Sequence, residues 1–140
     1  MGLLRKVSSA GSLTGMEPAD LHHQVERSFN AADVDTLVSL YESDAQMMTD
    51  NGSVVTGLEA IRSVWSGFTA LGGQIVMTTR YVVEQGDIAL LSNAWTFEMA
   101  GVPVASSVTA EVAKRQPDGS WRYIIDNPYG APTEPAAAEA

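Results

Sequence analysis

Apolar residues along this chain follow a helical period up to about residue 73 and a period of two beyond it. In the first part, Leu21, Val25, Phe29 and Ala32 recur at spacings of four, four and three. That stripe predicts an amphipathic helix opening near Glu17-Pro18, where proline suits a first turn. Asp33 has the chemistry of an N-cap for a second, short helix with Val34, Leu37, Val38 and Tyr41 on its buried side. Ala45 to Thr49 reads as a short strand, closed by the turn residues Asp50-Asn51-Gly52. Thr56-Gly57-Leu58-Glu59 has the form of a capping box, in which the Thr hydroxyl and Glu carboxylate satisfy opposing amides. The helix behind it carries Leu58, Ile61, Val64, Trp65 and Phe68 on one face and stops at Gly72-Gly73.

The second part predicts four strands, at about 74–84, 88–99, 104–116 and 121–127. Gln85-Gly86-Asp87, Gly101-Val102-Pro103 and Pro117-Asp118-Gly119 join them, each short enough for a hairpin. Helices followed by an antiparallel meander specify an α+β fold with the helices on one face of the sheet. With no internal repeat or linker, residues 16–130 form one domain, between a flexible leader at 1–15 and a disordered Ala/Pro/Glu-rich tail at 131–140.

Alternation assigns the faces of the sheet. Asn93, Trp95, Phe97 and Met99 share one side of their strand, against Thr96 and Glu98. Val108, Ala110 and Val112 oppose Thr109 and Glu111, and the apolar sides are expected to meet the helices. The last strand differs, because Arg122, Ile124 and Asp126 oppose Trp121, Tyr123 and Ile125, with large apolar groups on both sides. Both faces of the sheet are therefore expected to be covered, the outer one by a second copy in a homodimer. The competing reading is a few exposed aromatics on a monomer.

Charge and composition narrow the partners. Eight Lys+Arg against 17 Asp+Glu give a net charge of −9, which argues against nucleic acid and anionic membranes. The absence of cysteine removes disulfides and suits a cytoplasmic protein. No apolar run approaches the roughly 18 residues of a membrane span, and Met1-Gly2-Leu3-Leu4-Arg5-Lys6 leads into no signal-peptide core. No phosphate loop, nucleophile elbow or zinc motif is present, so neither cofactor nor metal is expected. His22 and His23 are adjacent and cannot face one ion from a helix.

Three segments carry a family resemblance. The run from Asp33 through Leu37, Leu40-Tyr41 and Ala45 resembles the second-helix signature of the ketosteroid-isomerase-like superfamily, which also holds nuclear transport factor 2 and the SnoaL-like cyclases. Thr56-Gly57-Leu58-Glu59-Ala60-Ile61 resembles its third-helix start, and Trp121 to Gly130 resembles the closing strand of its YybH-type branch. The resemblance spans about residues 17–130. It implies a cystatin-like, cone-shaped fold of three helices on a curved antiparallel sheet, with a pocket in its mouth and usually a dimer. It does not carry steroid isomerisation with it. The positions matching that enzyme's oxyanion donors hold Val25 and Val108, and its base position holds Thr49 with Asp50 beside it.

Asp126 is the leading catalytic candidate, since SnoaL-like cyclases and related epoxide hydrolases place an acid on this strand. A carboxyl among Trp95, Phe97 and Ile124 has a raised pKa suited to proton transfer. The structural alternative pairs Asp126 with Arg122 or with backbone amides. His22, at the edge of the first helix, is a candidate proton partner at the pocket mouth, and Asp50 a candidate for a displaced base. Trp65, Asn93, Trp95, Phe97, Met99, Val108 and Ile124 are the expected ligand-binding wall, although core packing alone selects most of the same residues. Two functions follow. One is an acid–base isomerase, cyclase or hydrolase acting through Asp126 on a small apolar polyketide- or terpenoid-like compound. The other is a non-catalytic ligand-binding or dimerisation module. An epoxide-hydrolase-like Asp–Arg–Asp site ranks below both, with only Arg122 and Asp126 to build it.

Overall fold

A computed structural model describes residues 17–131. The expected leader at 1–15 and all but the first residue of the expected tail lie outside the described residues. The chain forms α1 (Asp20–Asn30), α2 (Val34–Ser39), β1 (Tyr41–Met48), β2 (Val54–Thr56), α3 (Leu58–Thr69), β3 (Gln74–Gln85), β4 (Ile88–Met99), β5 (Val102–Arg115) and β6 (Trp121–Ala131). Leu21, Val25 and Phe29 of α1 are buried, as their spacing predicts. Asp33 caps α2, its Oδ1 accepting the Thr36 N–H at 3.1 Å. Its bonds to Thr36 hold the carboxyl below the ordinary carboxylate range.

Several local expectations are corrected. Tyr41 opens β1, four residues before the predicted strand start, and the short strand β2 was not foreseen. The capping box does not form. Gly57, at φ 96°, is the N-cap of α3 without a side-chain bond, a backbone conformation that favours glycine, and Thr56 ends β2 instead. The β4–β5 turn is Ala100-Gly101, both at positive φ, rather than Gly101-Val102-Pro103. No helix of the described residues is long and apolar enough to cross a membrane.

The six strands form one sheet in the order β2-β1-β6-β5-β4-β3. All neighbours are antiparallel except β1 and β6, which run parallel and set Tyr41 opposite Tyr123 and Met47 opposite Asp126. The last strand of the sheet in chain order thus lies inside it, between β1 and β5. The helices pack on one face, where Phe29 meets Trp65, Phe68 and Phe97 edge-on at centroid distances of 5.8, 5.7 and 6.0 Å. Asn30, at the end of α1, anchors the helix to β3 as a strand would. Its side-chain amide accepts the Ile75 N–H at 2.7 Å and donates to the Ile75 carbonyl at 3.0 Å.

Two strands depart from the expected faces. On β5 the inward residues are Ser107, Thr109, Glu111 and Ala113, so Val108, Ala110 and Val112 look away from the helices. The phase is reversed because β5 contributes polar groups to an interior site while the outer face of the sheet is apolar. On β6, Val112 pairs with Ile125 but Ala113 pairs with Tyr123. Ile124 is therefore the extra residue of a β-bulge, and Tyr123 and Asp126 both face inward although three residues apart. Asp126 is buried as expected, but on the Tyr123 side rather than with Ile124, and Arg122 is exposed.

Candidate functional site

A cavity of about 340 Å³ lies under α3, between the helices and the inner face of the sheet. Its walls are Val25 of α1, Met47 of β1, Val64, Trp65 and Phe68 of α3, and Trp95 of β4. Trp95 is fixed by donating its indole N–H to the Pro128 carbonyl at 2.8 Å and by an edge contact with Tyr129. The mouth carries the exposed residues Asp50 and Leu71. The floor is polar, made of Asn93 from β4, Thr109 and Glu111 from β5, and Tyr123 and Asp126 from β6.

Two hydrogen-bond chains organise that floor. In the first, the Trp65 indole N–H donates to the Tyr41 hydroxyl at 3.2 Å, and that hydroxyl donates to Asp126 Oδ2 at 2.6 Å. In the second, His22 Nε2 lies 2.6 Å from Glu111 Oε1, while Glu111 Oε2 accepts from the Asn93 amide at 3.0 Å. His22 Nδ1 contacts the Thr79 hydroxyl at 2.7 Å, so both ring nitrogens are engaged. The chains meet where Glu111 and Asp126 pair across β5 and β6.

Burial, first, and then the neighbouring Glu111 charge push the Asp126 carboxyl up to about 8, against the opposing pull of the Tyr41 hydrogen bond. Near neutral pH its proton is therefore retained. Among the described residues Oδ2 is the acceptor for the Tyr41 hydroxyl, whose oxygen already receives the Trp65 N–H. Oδ1 bonds to none of the described residues and is the oxygen open to carry the carboxylic proton. The floor thus offers a carboxyl O–H donor at Asp126 to whatever enters. Burial pushes the Tyr41 and Tyr123 phenols well above their ordinary range, so both stay neutral donors. The Tyr123 hydroxyl and Asn93 Oδ1 are buried without a hydrogen-bond partner among the described residues.

Of the residues expected from sequence, Asp126, Asp50, Trp65, Asn93 and Trp95 line the cavity. His22 does not stand at the mouth. It is buried behind the floor, 2% exposed, against Glu111. Phe97 is buried in the aromatic core, in contact with Phe29 and Phe68, rather than on the cavity wall. Met99 is exposed at the end of β4, Val108 points outward, and Ile124 is carried off by the bulge. Asp126 pairs with neither Arg122 nor backbone amides, and the exposed Arg122 cannot complete an Asp–Arg–Asp site. Sequence reading missed Tyr41, Thr109, Glu111 and Tyr123 as site residues. For Glu111, the available signal was an acid in the middle of a strand that pairs on both sides. Among the described residues, no group of three or more His, Cys, Asp or Glu is suited to a metal ion.

The sequence profile described as SnoaL-like domain matches residues 22–124. No curated protein matches the chain significantly. Solved structures match it closely in shape. An NTF2-like protein with a cystatin-like fold from Novosphingobium aromaticivorans superposes with a TM-score of 0.70 at 17% identity, covering 94% of this chain and 91% of that one. A candidate dehydratase of the NTF2-like family from Streptomyces avermitilis gives 0.69 at 15% identity, over 89% of this chain and 99% of that one. A candidate ketosteroid isomerase from Shewanella frigidimarina gives 0.65 at 17%, over 81% and 96%. At these identities the similarity is one of fold.

Proposed function

This chain belongs to the SnoaL-like domain family, and from that premise we propose that it binds a small, largely apolar molecule and acts on it through Asp126 as an acid. The observation that carries this reading is the Asp126 carboxyl at the floor of an apolar cavity, with Oδ2 held by the Trp65–Tyr41 chain and Oδ1 without a partner among the described residues. A carbonyl, lactone or ether oxygen docked there receives a hydrogen bond, and a proton when negative charge develops on it. The carboxylate left behind remains stabilised by the Tyr41 hydroxyl. Polyketide- and terpenoid-like compounds have the required apolar body and oxygen acceptor. A second reading, binding without turnover, is favoured by the engagement of both Glu111 oxygens, which leaves no second free carboxyl oxygen on the described floor.

Thermal-shift screening of apolar ketones, lactones and steroids, followed by an assay of each binder for conversion, separates the two. In the catalytic case, Asp126→Asn retains binding and loses about 10²–10⁴-fold in turnover. Conversion by the variant at the wild-type rate refutes the role given to Asp126. Binders that neither protein converts favour the non-catalytic reading.

The proposal extends to assembly and location. On the outer face of the sheet, Val83 pairs with Leu90, Leu90 with Val112, and Val112 with Ile125, an apolar row crossing four strands. Val83, Leu90 and Ile125 are 56%, 41% and 47% exposed. A second copy meeting this face on a two-fold axis would cover the row with its own equivalent. Leu90→Glu should then halve the mass in sedimentation velocity without unfolding the protein. A wild-type chain that sediments as a monomer at micromolar concentration would overturn the dimer. The absence of cysteine fits a reducing cytoplasm.

A further inference from the structure

Among the described residues the cavity is lined by three carboxyl groups, Asp50 at its mouth and Glu111 and Asp126 at its floor, and by no Lys, Arg or His. The two floor carboxyls are direct cross-strand partners, 3% and 5% exposed. Both oxygens of Glu111 are held, by His22 and Asn93, whereas Asp126 Oδ1 is free. Two such neighbours in apolar surroundings do not both ionise, so the pair keeps one proton, and Asp126, the member with an oxygen left free, is the one that can exchange it with a ligand. The buried charge of the floor is thereby balanced around a single exchangeable proton. A neutral ligand leaves that balance untouched, and a carboxylate ligand adds one more buried negative charge. A ligand bearing its own positive charge replaces the proton with no change in buried charge at all. The rest of the cavity suits a cation: Trp65, Trp95, Phe68 and Tyr129 supply aromatic rings. The unpartnered Tyr123 hydroxyl, on a residue 1% exposed, supplies a further oxygen.

We propose that the cavity preferentially takes a small hydrophobic amine as its ammonium ion, docked on Asp126 Oδ1 in exchange for the carboxylic proton. This rests on the reading of the cavity as a ligand site and names the ligand class it prefers. The exchange balances in atoms and charge. The neutral Asp126 carboxyl loses its proton to solvent, and the carboxylate left behind pairs with the incoming alkylammonium ion. The titratable groups facing Asp126 are Tyr41 from β1, Glu111 from β5 with His22 of α1 behind it, and Tyr123 and Tyr129 on β6, with Asp50 at the mouth. The three phenols stay neutral because burial raises each of them, and α3 contributes no titratable group to the cavity. The Tyr41 bond to Oδ2 stabilises the carboxylate that forms.

Isothermal titration of the full chain with phenethylamine, phenethyl alcohol and phenylacetate tests this, in two buffers of different ionisation enthalpy. The amine should bind at least about tenfold tighter than the alcohol, and phenylacetate weakest. About one proton should leave per amine bound, and amine affinity should rise about tenfold per pH unit from roughly pH 6 towards pH 8. In Asp126→Asn the amine should fall to the level of the alcohol, with no proton released and the alcohol unaffected. An amine that binds no tighter than the alcohol, or without proton release, overturns this inference and leaves the ligand-site reading standing. If none of the probes binds wild-type protein, both are refuted. Should the variant fail to fold, the proton count on wild type decides.

Discussion

Glu111→Ala should cost several kcal/mol of folding stability, because it leaves two buried hydrogen-bond partners unsatisfied at about 1–3 kcal/mol each. Its carboxylate is 3% exposed and bonded on both oxygens, to a histidine that is 2% exposed and to a buried amide. Removing it strands His22 and Asn93 in an interior with no replacement acceptor. Glu111→Gln should cost much less, because the amide oxygen still accepts one of these bonds. It should also lower the Asp126 pKa, since the Glu111 charge is one of the two causes that raise it. Urea unfolding at neutral pH measures the first effect, and carboxyl carbon chemical shifts followed through pH measure the second. An alanine variant within about 1 kcal/mol of wild type would show that the pair is not integral to the fold.

The second large effect is a dependence of stability on pH. Asp126 is raised from 3.8 to about 8 in the folded protein, so between those values the folded chain holds a proton that the unfolded chain has released. The contribution is fully present below the unfolded value and is lost as pH rises through the folded one, at about 1.4 kcal/mol per pH unit at most. Asp126→Asn imitates the protonated acid: its carbonyl accepts the Tyr41 hydroxyl and its amide replaces the O–H. The two proteins should be similarly stable near pH 4, with the variant gaining steadily up to about pH 8 and levelling off beyond. Other titrating groups contribute to both proteins and drop out of the difference. Unfolding free energies that run parallel over this window would mean that Asp126 is ionised in the folded state.

Much of the architecture was legible in local pattern. The stripe Leu21-Val25-Phe29, the cap at Asp33 and the period-two segments led to three helices on a meander, because burial of one helix face and pairing of hairpin-linked strands are governed by near neighbours. Trp65, Asn93, Trp95 and Asp126, singled out by their types and their strands, line one cavity. Phe97 was found as a buried residue but given the wrong surroundings, since periodicity separates inside from outside and not core from cavity wall.

The remainder of the site depended on departures from pattern. Alternation on β5 suggested Val108, Ala110 and Val112 as the inner face, yet the inner face is Thr109 and Glu111. Only the pairing of Glu111 with His22 of α1 and Asn93 of β4 makes a carboxylate tolerable there, and those partners lie 89 and 18 residues away. The bulge at Ile124 likewise turns Tyr123 and Asp126 to the same side, where strict period two places them on opposite sides. Asp126 as an interior acid was thus within reach of the sequence alone, from its residue type and its place on the closing strand. That its carboxyl lines an apolar cavity, with Oδ2 tied to Tyr41 and Trp65 and Glu111 alongside, was decided by tertiary structure. β1, β5, β6 and α3 meet at that point from distant parts of the chain, and the charge state of a buried carboxyl is set by what surrounds it.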